Sequence, residues 1–466
     1  MKRIAILTAG GDTPALNATI YGAAVRANER NIQLIGLLRG FNSLFNPRVP
    51  HIQLNPLFSI IPELDPTCGG TILGSSRTFV DPNDAAQLDI VQDRLEKLKV
   101  DGLICIGGDG TLNGMQPLCD RIPTVLAPKT IDNDLGLNYA HEPDKWIREP
   151  SVDQEEEFCY RLSSEDQSVA RTKIRLDQMV NYVTPGYATA TFVSVGGVGR
   201  IRTTAESHRR VAIIEVMGRH SGYLALGSAY GQPDIILIPE VPVNLELLAG
   251  RVREIYDRQR NVVLVCGEGI RAESGEMLGA CQESTDPAGN VTLSGAAEVL
   301  RCRLIDIIGD KFFRSENRNT SAERAIFTRK VGHTQRGGRP MSFDRFHASQ
   351  LGGKAVDMLV DGFNNAVSIL QWNESQGFHV STYQGNGFRD KWGQIHARMV
   401  YPTFYDADRL HISPQGVEYL LPIFRRAIGS EDVEYIRDTR FDSGKLLNRY
   451  HSVNTDIAKR LRFLEN

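Results

Sequence analysis

The sequence predicts an α/β protein made of two three-layer α/β/α domains with mostly parallel sheets, followed by a helical C-terminal extension. Short and almost entirely apolar runs alternate with longer stretches of helical periodicity. Apolar strands of this kind are buried on both faces, as in a parallel sheet that helices cover. The runs fall into two clusters, separated by the charged and weakly apolar stretch Asn138–Asn181. This pattern predicts two Rossmann-like domains.

Apolar runs rich in β-branched residues predict the buried strands. They are Ile4–Thr8, Ile32–Leu37, Gly102–Ile106, Thr124–Ala127, Val211–Val216, Ile235–Ile238 and Val262–Cys266. Helical periodicity with charged outer faces marks stretches such as Asp84–Lys99 and Leu245–Arg260. Arg409–Asn466 has mixed helical patterns and no glycine-rich site, so we expect helices added to the end of the fold.

The domain boundaries follow from these clusters. The first α/β domain is predicted at residues 1–183 together with 336–390. The second α/β domain is predicted at 184–335, and the helical extension at 391–466. The insertion at about 138–181 is charged, so we expect it to be solvated or to pack on a partner. A second irregular stretch, Arg271–Asn290, contains a turn motif at Asp286–Asn290.

Composition excludes several classes of protein. The chain has 466 residues, 41% of them hydrophobic, and a net charge of −3, so nothing favours nucleic acid or an anionic membrane as a partner. Its seven cysteines form no CxxC pair, as expected of reduced thiols. The apolar run at the start is too short for a signal peptide, and no run is long enough to span a bilayer. We therefore expect a cytoplasmic protein.

Two nearby segments carry most of the predicted chemistry: ICIGGDGT at Ile104–Thr111 and APKTIDND at Ala127–Asp134. Each follows a predicted strand, and ligands of open α/β sheets bind outside the C-terminal strand ends. The glycines let phosphates approach the main chain, while Asp109, Asp132 and Asp134 bring carboxylates to the same crevice. Phosphate, a metal ion and a general base in one cleft are the requirements of phosphoryl transfer.

Asp132 and Asp134 are two residues apart, so on an extended segment their side chains point the same way. Close carboxylates repel each other unless a cation or a proton lies between them. One could therefore lie near Mg²⁺ while the other accepts the proton of an attacking hydroxyl. The alternative is structural, since Asp-Asn-Asp is also a common turn composition.

Two further glycine segments precede these motifs. TAGGDTPALNATI at Thr8–Ile20 is typical either of a nucleotide-binding loop or of a tight βα turn. GGTILGSSR at Gly69–Arg77 ends in an arginine that could hold phosphate oxygens or lie on the surface.

The second half of the chain offers cations, imidazoles and a carboxylate at strand ends and turns. The clusters are SHRR at Ser207–Arg210, EVMGRHSG at Glu215–Gly222, CGEG at Cys266–Gly269 and GHTQRGG at Gly332–Gly338. Together they suit a sugar phosphate, with arginines on the phosphoryl group and Glu268 on hydroxyls. Singly, His333 could be a packed or surface histidine and Glu268 a helix-capping acid.

The sequence motifs and their order resemble those of the 6-phosphofructokinase family. In chain order they are TAGGDTPALNA, GGTILGSSR, IGGDGT, PKTIDND, EVMGRHSGYLAL and GHTQRGG. The resemblance runs from Lys2 to about Asp361, interrupted by the two irregular stretches. It implies phosphorylation of D-fructose 6-phosphate to fructose 1,6-bisphosphate with Mg²⁺, the committed step of glycolysis. GGDGT alone is shared with NAD kinases and lipid kinases, but these do not account for TIDND, EVMGR or GHTQRGG.

The resemblance also implies residue roles. The phosphoryl-donor site of the first domain would contain Gly11, Arg77, Thr78, Gly108, Asp109, Gly110, Thr111 and Lys129, with Asp109 at Mg²⁺. The fructose 6-phosphate site of the second domain would contain Thr130, Ile131, Asp132, Arg210, Met217, Gly218, Arg219, Glu268, Arg329, His333 and Arg336. Asp132 would take the proton of the sugar 1-hydroxyl. The other catalytic residues would be Arg77, Arg219 and Thr130.

Oligomerisation and control follow from the same resemblance. Arg210 matches an arginine that reaches across a subunit interface, which implies a homodimer or homotetramer with shared active sites. Arg329 is the nearest candidate for a second interface arginine, although its spacing from His333 differs from the family's. Tyr21 and Val25 stand where bacterial members carry effector-binding arginines, so we expect that mode of control to be absent or rebuilt. A non-catalytic regulatory subunit would require loss of the acidic residues, and all three are present.

The phosphoryl donor is the open question. Members of the family that use ATP typically show GGDG with PGTIDND, and those that use pyrophosphate show GGDD with PKTIDND. This chain combines Gly110 of the first pattern with Lys129 of the second, similar to an ATP-using branch with longer chains. A carboxylate at position 110 would repel the α-phosphate of ATP by roughly 4 kcal/mol at 4 Å and an effective dielectric of 20. Glycine removes that repulsion, so we expect ATP, with pyrophosphate as the alternative.

Overall fold

The computed structural model describes residues 1–46, 48–78, 80–81, 84–150, 158–163, 172–285, 291–293, 295–314 and 320–464. In chain order its strands are β1 Arg3–Thr8, β2 Gln33–Leu37, β3 His51–Gln53, β4 Gly102–Gly107, β5 Thr124–Pro128, β6 Trp146–Pro150, β7 Phe158–Leu162, β8 Val211–Val216, β9 Ile235–Leu237, β10 Val262–Gly267, β11 Ala280–Thr285, β12 Val291–Leu293, β13 Ile326–Lys330, β14 Ala366–Asn373, β15 Gly377–Gln384, β16 Tyr405–Asp406 and β17 His411–Ile412.

The α-helices among these residues are α1 Leu16–Glu29, α2 Asn42–Phe45, α3 Ala85–Lys97, α4 Asp109–Met115, α5 Tyr187–His208, α6 Tyr223–Gly227, α7 Leu245–Gln259, α8 Ala296–Arg314, α9 Ala322–Ala325, α10 Ser342–Val360, α11 Pro414–Phe424, α12 Ser430–Glu434, α13 Gly444–Leu447 and α14 Val453–Lys459. Short 3₁₀ turns lie at Pro56–Phe58, Gln116–Leu118, Glu142–Lys145, Leu176–Gln178, Ser228–Gly231, Gly332–Gln335, Gly385–Phe388 and Pro402–Phe404. One π-helical turn lies at Tyr435–Thr439. None of the described helices is both long and apolar enough to cross a membrane.

The larger sheet has seven strands in the order β15-β14-β5-β4-β1-β2-β3. Its five central strands are parallel, and antiparallel strands β15 and β3 close the two edges. β4 and β5 are buried along their whole length, which is why they lie in the middle of the sheet. Helices α1 and α10 pack against each other, with Gly22 and Gly352 letting the two backbones approach closely.

The smaller sheet has four parallel strands in the order β13-β8-β10-β9. β8 and β10 run in register from Val211 beside Val262 to Val216 beside Gly267, and both are fully buried. Parallel register brings the C-terminal ends of β8 and β10 to one edge of the sheet. The sequence motifs EVMGR and CGEG therefore end side by side.

The fold agrees with the predicted α/β class, and every strand predicted from an apolar run is present. The patterns miss the remaining strands, among them β13 and β14, which carry polar residues at their C-terminal ends. The extension is helical only from Pro414 onward, since 391–404 is irregular and β16 and β17 form a small hairpin.

The described part of the insertion is largely exposed along β7 and also packs on the same chain through aromatic side chains. β6 and β7 form an antiparallel hairpin. The Trp146 ring stacks on His396 with centroids 3.7 Å apart, and Tyr160 meets the edge of Trp392 at 6.0 Å. Residues 151–157 and 164–171 of the insertion, and the turn motif Asp286–Asn290, lie outside the described residues.

Candidate active site

The two glycine motifs of the larger sheet lie side by side because β1 and β4 are neighbours. The Ala9 N–H donates to the carbonyl oxygen of Ile106 at 2.9 Å, just where both strands end. The GSSR loop closes over the same place. The Gly10 N–H donates to the Ser76 carbonyl at 3.0 Å, and Ser75 Oγ donates to the Gly10 carbonyl at 2.5 Å. The donor motifs expected from the sequence are thus brought together.

Two glycines of the GGDG turn meet different surroundings. A Cβ at Gly107 would stand 1.9 Å from Thr111 Oγ1, so only glycine fits there. A Cβ at Gly110 would meet no described atom within 4 Å. Position 110 therefore opens onto the crevice, and a larger side chain there would occupy the crevice rather than the protein interior.

Lys129 joins the two glycine loops. Its side chain is 4% exposed, and its ammonium group donates to the Gly11 carbonyl. Its main-chain N–H donates to the Gly107 carbonyl at 2.9 Å. Burial, helped by the nearby charge of Arg336, lowers the pKa of Lys129 to about 8, while Asp12 and the TIDND carboxylates oppose this change.

The TIDND loop directs two carboxylates into the crevice. Asn133 between them has a left-handed backbone, with φ of 59°, and the Asp132 N–H donates to Thr130 Oγ1 at 3.0 Å. Asp132 Oδ1 and Asp134 Oδ1 are buried with no hydrogen-bond partner in the described part of the chain. Buried acceptors of this kind are costly unless a proton, a cation or a ligand satisfies them.

The carboxyl groups of Asp109, Asp132 and Asp134 influence one another's ionisation. Burial, followed by the charges of Asp109 and Asp132, raises the pKa of Asp134 to about 8. Burial also raises the pKa of Asp132, against the attraction of Arg336, Arg219 and Lys129.

Such carboxylates fit a divalent cation that has oxygen ligands. Within the described ranges, no three His, Cys, Asp or Glu side chains form a ready-made metal cluster. Mg²⁺ usually keeps several waters and binds through one or two carboxylates together with substrate phosphates. The residues present therefore fit a Mg²⁺ that is completed by phosphate and water oxygens.

The second half of the site forms where β8 and β10 end. Gly218 has a φ of 121°, and a Cβ at Gly269 would stand 1.8 Å from the carbonyl oxygen of Arg219. The Glu268 N–H donates to the Val216 carbonyl at 2.9 Å. Burial and then the charge of Asp132 raise the pKa of Glu268 to about 7. The carboxyl groups of Glu268 and Asp132 therefore belong to one cleft between the two sheets.

Arg336 connects the two halves. Its Nη1 donates to the Asp12 carbonyl at 3.4 Å, and a Cβ at Gly11 would stand 2.7 Å from the same nitrogen. Its charge also lowers the pKa of Asp132 and of Glu268. An arginine expected on the sugar side thus lies against the first donor loop.

Sequence reasoning missed residues that hold these loops. Gln335 is fully buried inside GHTQRGG and accepts the Met217 N–H at 2.9 Å. Its position within the GHTQRGG motif is the sequence feature that could have identified Gln335 as part of the site. Arg398 and Tyr419 contact the TIDND loop from the C-terminal extension, and no local pattern marks either residue.

Other predicted residues differ in how far their side chains are exposed. Ile131 is fully buried in a hydrophobic core, which leaves only its main chain for a ligand, and Met217 is 8% exposed. His333 is exposed. Arg77 is exposed next to the half-buried Thr78.

Arg210 and Arg329 share a different location. Arg210 precedes β8, whereas Met217 follows it, and a six-residue strand separates its ends by roughly 20 Å. The guanidinium groups of Arg210 and Arg329 lie 5.9 and 5.4 Å from the ring centre of Phe327 on β13. The two arginines thus share one aromatic ring, and Arg210 lies at the end of β8 opposite to Met217.

The fold and the cleft define an α/β protein that gathers acidic and basic side chains between two sheets. A family model described as Phosphofructokinase matches residues 3–139 and 172–359. The chain belongs to the phosphofructokinase family. The match skips 140–171 and stops before the C-terminal extension.

Relatives of both donor types are similar to this chain. A pyrophosphate–fructose 6-phosphate 1-phosphotransferase of Dictyoglomus thermophilum is 32% identical over 411 residues, covering 87% of this chain and 97% of its own. An ATP-dependent 6-phosphofructokinase of Natranaerobius thermophilus is 30% identical over 365 residues, covering 78% and 87%. The crystal structure of a pyrophosphate-dependent phosphofructokinase from Marinobacter aquaeolei has the same fold, with a TM-score of 0.65, 17% identity and 92% coverage of both chains.

Proposed function

We propose that this protein transfers the terminal phosphoryl group of ATP to the 1-hydroxyl of D-fructose 6-phosphate and releases fructose 1,6-bisphosphate. Family membership supports the reaction class. The observation that carries the proposal is the buried, unpartnered carboxylate oxygen of Asp132, which lies between the glycine loops and the Glu268 side of the cleft.

Asp132 is the proposed general base. A base must be ionised to take the proton of the sugar hydroxyl, and burial alone opposes that. Arg336, Arg219 and Lys129 all favour the ionised form of Asp132. The neighbouring Asp134, with a pKa of about 8, is protonated near neutral pH until a cation binds, so it does not compete for the role.

Arg77 and Arg219 are proposed to stabilise charge on the transferring phosphoryl group, since guanidinium groups pair with phosphate oxygens in two-point fashion. Thr130 holds the loop through the Asp132 N–H. The sugar would bind to Thr130, Glu268, Met217–Arg219, His333 and Arg336, with Ile131 contributing main chain only.

Asp109, with Asp134 beside it, would hold Mg²⁺. Bound there, the ion would neutralise charge on the donor phosphates.

Gly110 supports ATP as the donor, because its open surroundings leave room for the α-phosphate and the nucleoside beyond it. Gly11, Gly108 and Thr111 complete the proposed donor loop. Pyrophosphate is the second candidate, favoured by the ammonium group of Lys129 between the two glycine loops and by relatives that carry that name. An ammonium attracts the phosphates of either donor, whereas a carboxylate at position 110 would repel the longer one.

Shared active sites are part of the proposal. Arg210 and Arg329 converge on Phe327, and Arg210 lies at the end of β8 opposite to Met217. They are available to reach the sugar phosphate of a neighbouring subunit in a homodimer or homotetramer.

The test is an initial-rate assay with fructose 6-phosphate and Mg²⁺, supplied with ATP in one series and pyrophosphate in the other. Turnover with ATP alone is expected. Turnover with pyrophosphate alone would mean that pyrophosphate, and not ATP, is the donor. No turnover with either donor would refute the proposed function.

A further inference from the structure

Two side chains that lie beyond the residues matched by the family model form hydrogen bonds with the loop that carries Asp132 and Asp134. That match ends at residue 359, whereas the contacts come from Arg398 and Tyr419. Both side chains are buried, at 2% and 0% exposure. Their role is therefore internal to the fold.

Arg398 binds the loop through main chain and side chain at once. Its N–H donates to the Asp134 carbonyl at 2.7 Å, and its Nη2 donates to the Asn133 carbonyl at 2.7 Å. Its Nη1 donates to the carbonyl of Asn181 at 2.6 Å. The guanidinium thus links the TIDND loop to the segment that precedes α5.

The glycine at position 136 leaves room for the guanidinium group of Arg398. A Cβ at Gly136 would stand 2.6 Å from Arg398 Nη1. The guanidinium carbon lies 5.1 Å from the ring centre of Tyr223. A buried cation needs a counter-charge. Glu142 of the insertion, 6% exposed, is the nearby carboxyl group: burial raises its pKa, and hydrogen bonds from Asn138 and the charge of Arg398 oppose that rise.

Tyr419 fixes the side chain of Asn133. Asn133 Nδ2 donates to Tyr419 Oη at 2.6 Å, and the Thr184 N–H donates to Asn133 Oδ1 at 2.9 Å. Tyr419 Oη in turn donates to the Tyr182 carbonyl at 3.0 Å. The side-chain amide and the carbonyl of Asn133 are therefore both engaged.

Fixing Asn133 orients its neighbours. Asn133 has a left-handed backbone, which asparagine tolerates but does not require. If that residue relaxed to an extended conformation, the carboxylates on either side of it would turn relative to each other. The contacts of Arg398 and Tyr419 select the conformation that directs both carboxylates into the crevice.

We propose that Arg398, assisted by Tyr419, is a positioning residue that holds the 130–134 loop with Asp132 presented to the sugar hydroxyl. This inference rests on the proposed function of Asp132. It assigns to the C-terminal extension a task in the cleft, since both side chains belong to that extension.

The experiment uses the full chain with Arg398→Lys and Tyr419→Phe. A misplaced base should lower kcat while the sugar still binds, so Arg398→Lys is expected to lose roughly 10–100-fold in kcat. The KM for fructose 6-phosphate should change less than about threefold. Tyr419→Phe keeps the ring and removes two hydrogen bonds, the one from Asn133 Nδ2 and the one to the Tyr182 carbonyl, so a loss of roughly fivefold is expected. Amide hydrogen exchange across 130–137 should be faster in both variants.

Arg94→Lys is the matched control, because Arg94 is another buried arginine that donates to a main-chain carbonyl, that of Val49. It is expected to keep the parental kcat and loop exchange. Equal loss of kcat in this control, or parental kcat and exchange in folded Tyr419→Phe, would overturn the inference. If Arg398→Lys does not fold, the kcat and the amide exchange of Tyr419→Phe test the inference. Undiminished turnover by Asp132→Asn would instead overturn the proposed role of Asp132.

Discussion

The side-chain oxygen of Gln335 accepts the main-chain N–H of Met217 at 2.9 Å, and Gln335 Nε2 donates to Ser194 Oγ at the same distance. One buried amide thereby joins the GHTQRGG turn, the EVMGR loop and helix α5. The sugar side of the cleft depends on this contact, because Met217 and Arg219 belong to the same short loop.

Replacing Gln335 with alanine should weaken both stability and sugar binding. The buried N–H of Met217 would lose its partner, which costs about 1–3 kcal/mol in the free energy of unfolding. We expect a higher KM for fructose 6-phosphate, with a smaller effect on the KM for the donor. Urea unfolding and initial rates measure the two effects. The exposed Gln384→Ala should change neither, and a parental KM in Gln335→Ala would remove Gln335 from the support of the site.

Asp132→Asn keeps the size of the side chain and removes the base. A lost general base lowers turnover by roughly 10²–10⁴-fold. The KM for fructose 6-phosphate should change little, because the amide can still bind a hydroxyl. Steady-state kinetics at saturating donor give both constants, and Asp120→Asn, on an exposed residue, serves as the control. Near-normal turnover in Asp132→Asn would mean that another group takes the proton.

Gly110→Asp tests the choice of donor. The new carboxylate would enter the open space beside Gly110 and repel the α-phosphate of ATP by roughly 4 kcal/mol, about a thousandfold in ATP affinity. Pyrophosphate has no α-phosphate beyond its transferable group, so its use should suffer far less. Rates with each donor at fixed fructose 6-phosphate measure the ratio. Equal loss with both donors would show that the substitution distorts the loop instead.

Glu240 should make stability depend on pH. Its Oε1 accepts the N–H groups of Gly222 and Val400, yet burial raises its pKa to about 7. Between about pH 5 and 7 the unfolded chain has an ionised Glu240 while the folded chain keeps it protonated, so unfolding releases a proton. Stability therefore falls as pH rises through that window, by up to about 3 kcal/mol.

Glu240→Gln removes the titrating group and keeps the oxygen that accepts both N–H groups. Urea unfolding from pH 5 to 8 should show a flatter dependence in this variant than in the parent. The exposed Glu434→Gln is expected to leave the dependence unchanged. A parental slope in Glu240→Gln would assign the effect to other groups.

Local pattern predicts those strands that are apolar throughout and misses the others. β4 and β8 are buried at every position, so hydrophobicity alone identifies them. β13 ends in Arg329 and Lys330, and its place at an edge of the smaller sheet leaves these side chains exposed. β14 pairs with β5, more than two hundred residues earlier in the chain, and no local window contains that partner.

The meeting of Asp109 with Asp132 and Asp134 could be predicted, because β4 and β5 are parallel neighbours and their C-terminal ends must coincide. The approach of Arg336 to Gly11 could not, since it depends on how the two sheets face each other. No sequence pattern around Arg398 indicated its contact with the TIDND loop. A single arginine in an irregular segment is ordinary on the surface, and only the packing of the extension buries this one against Asn133.

The sequence by itself determined the fold class, the family and the residues of the glycine and acidic motifs, because apolar periodicity and strand-end chemistry are local properties of the chain. Tertiary structure alone decided which side chains share the cleft, which carboxyl groups have raised pKa values, and how the extension contacts the TIDND loop. Those properties arise from contacts between residues hundreds of positions apart and from the water that burial removes.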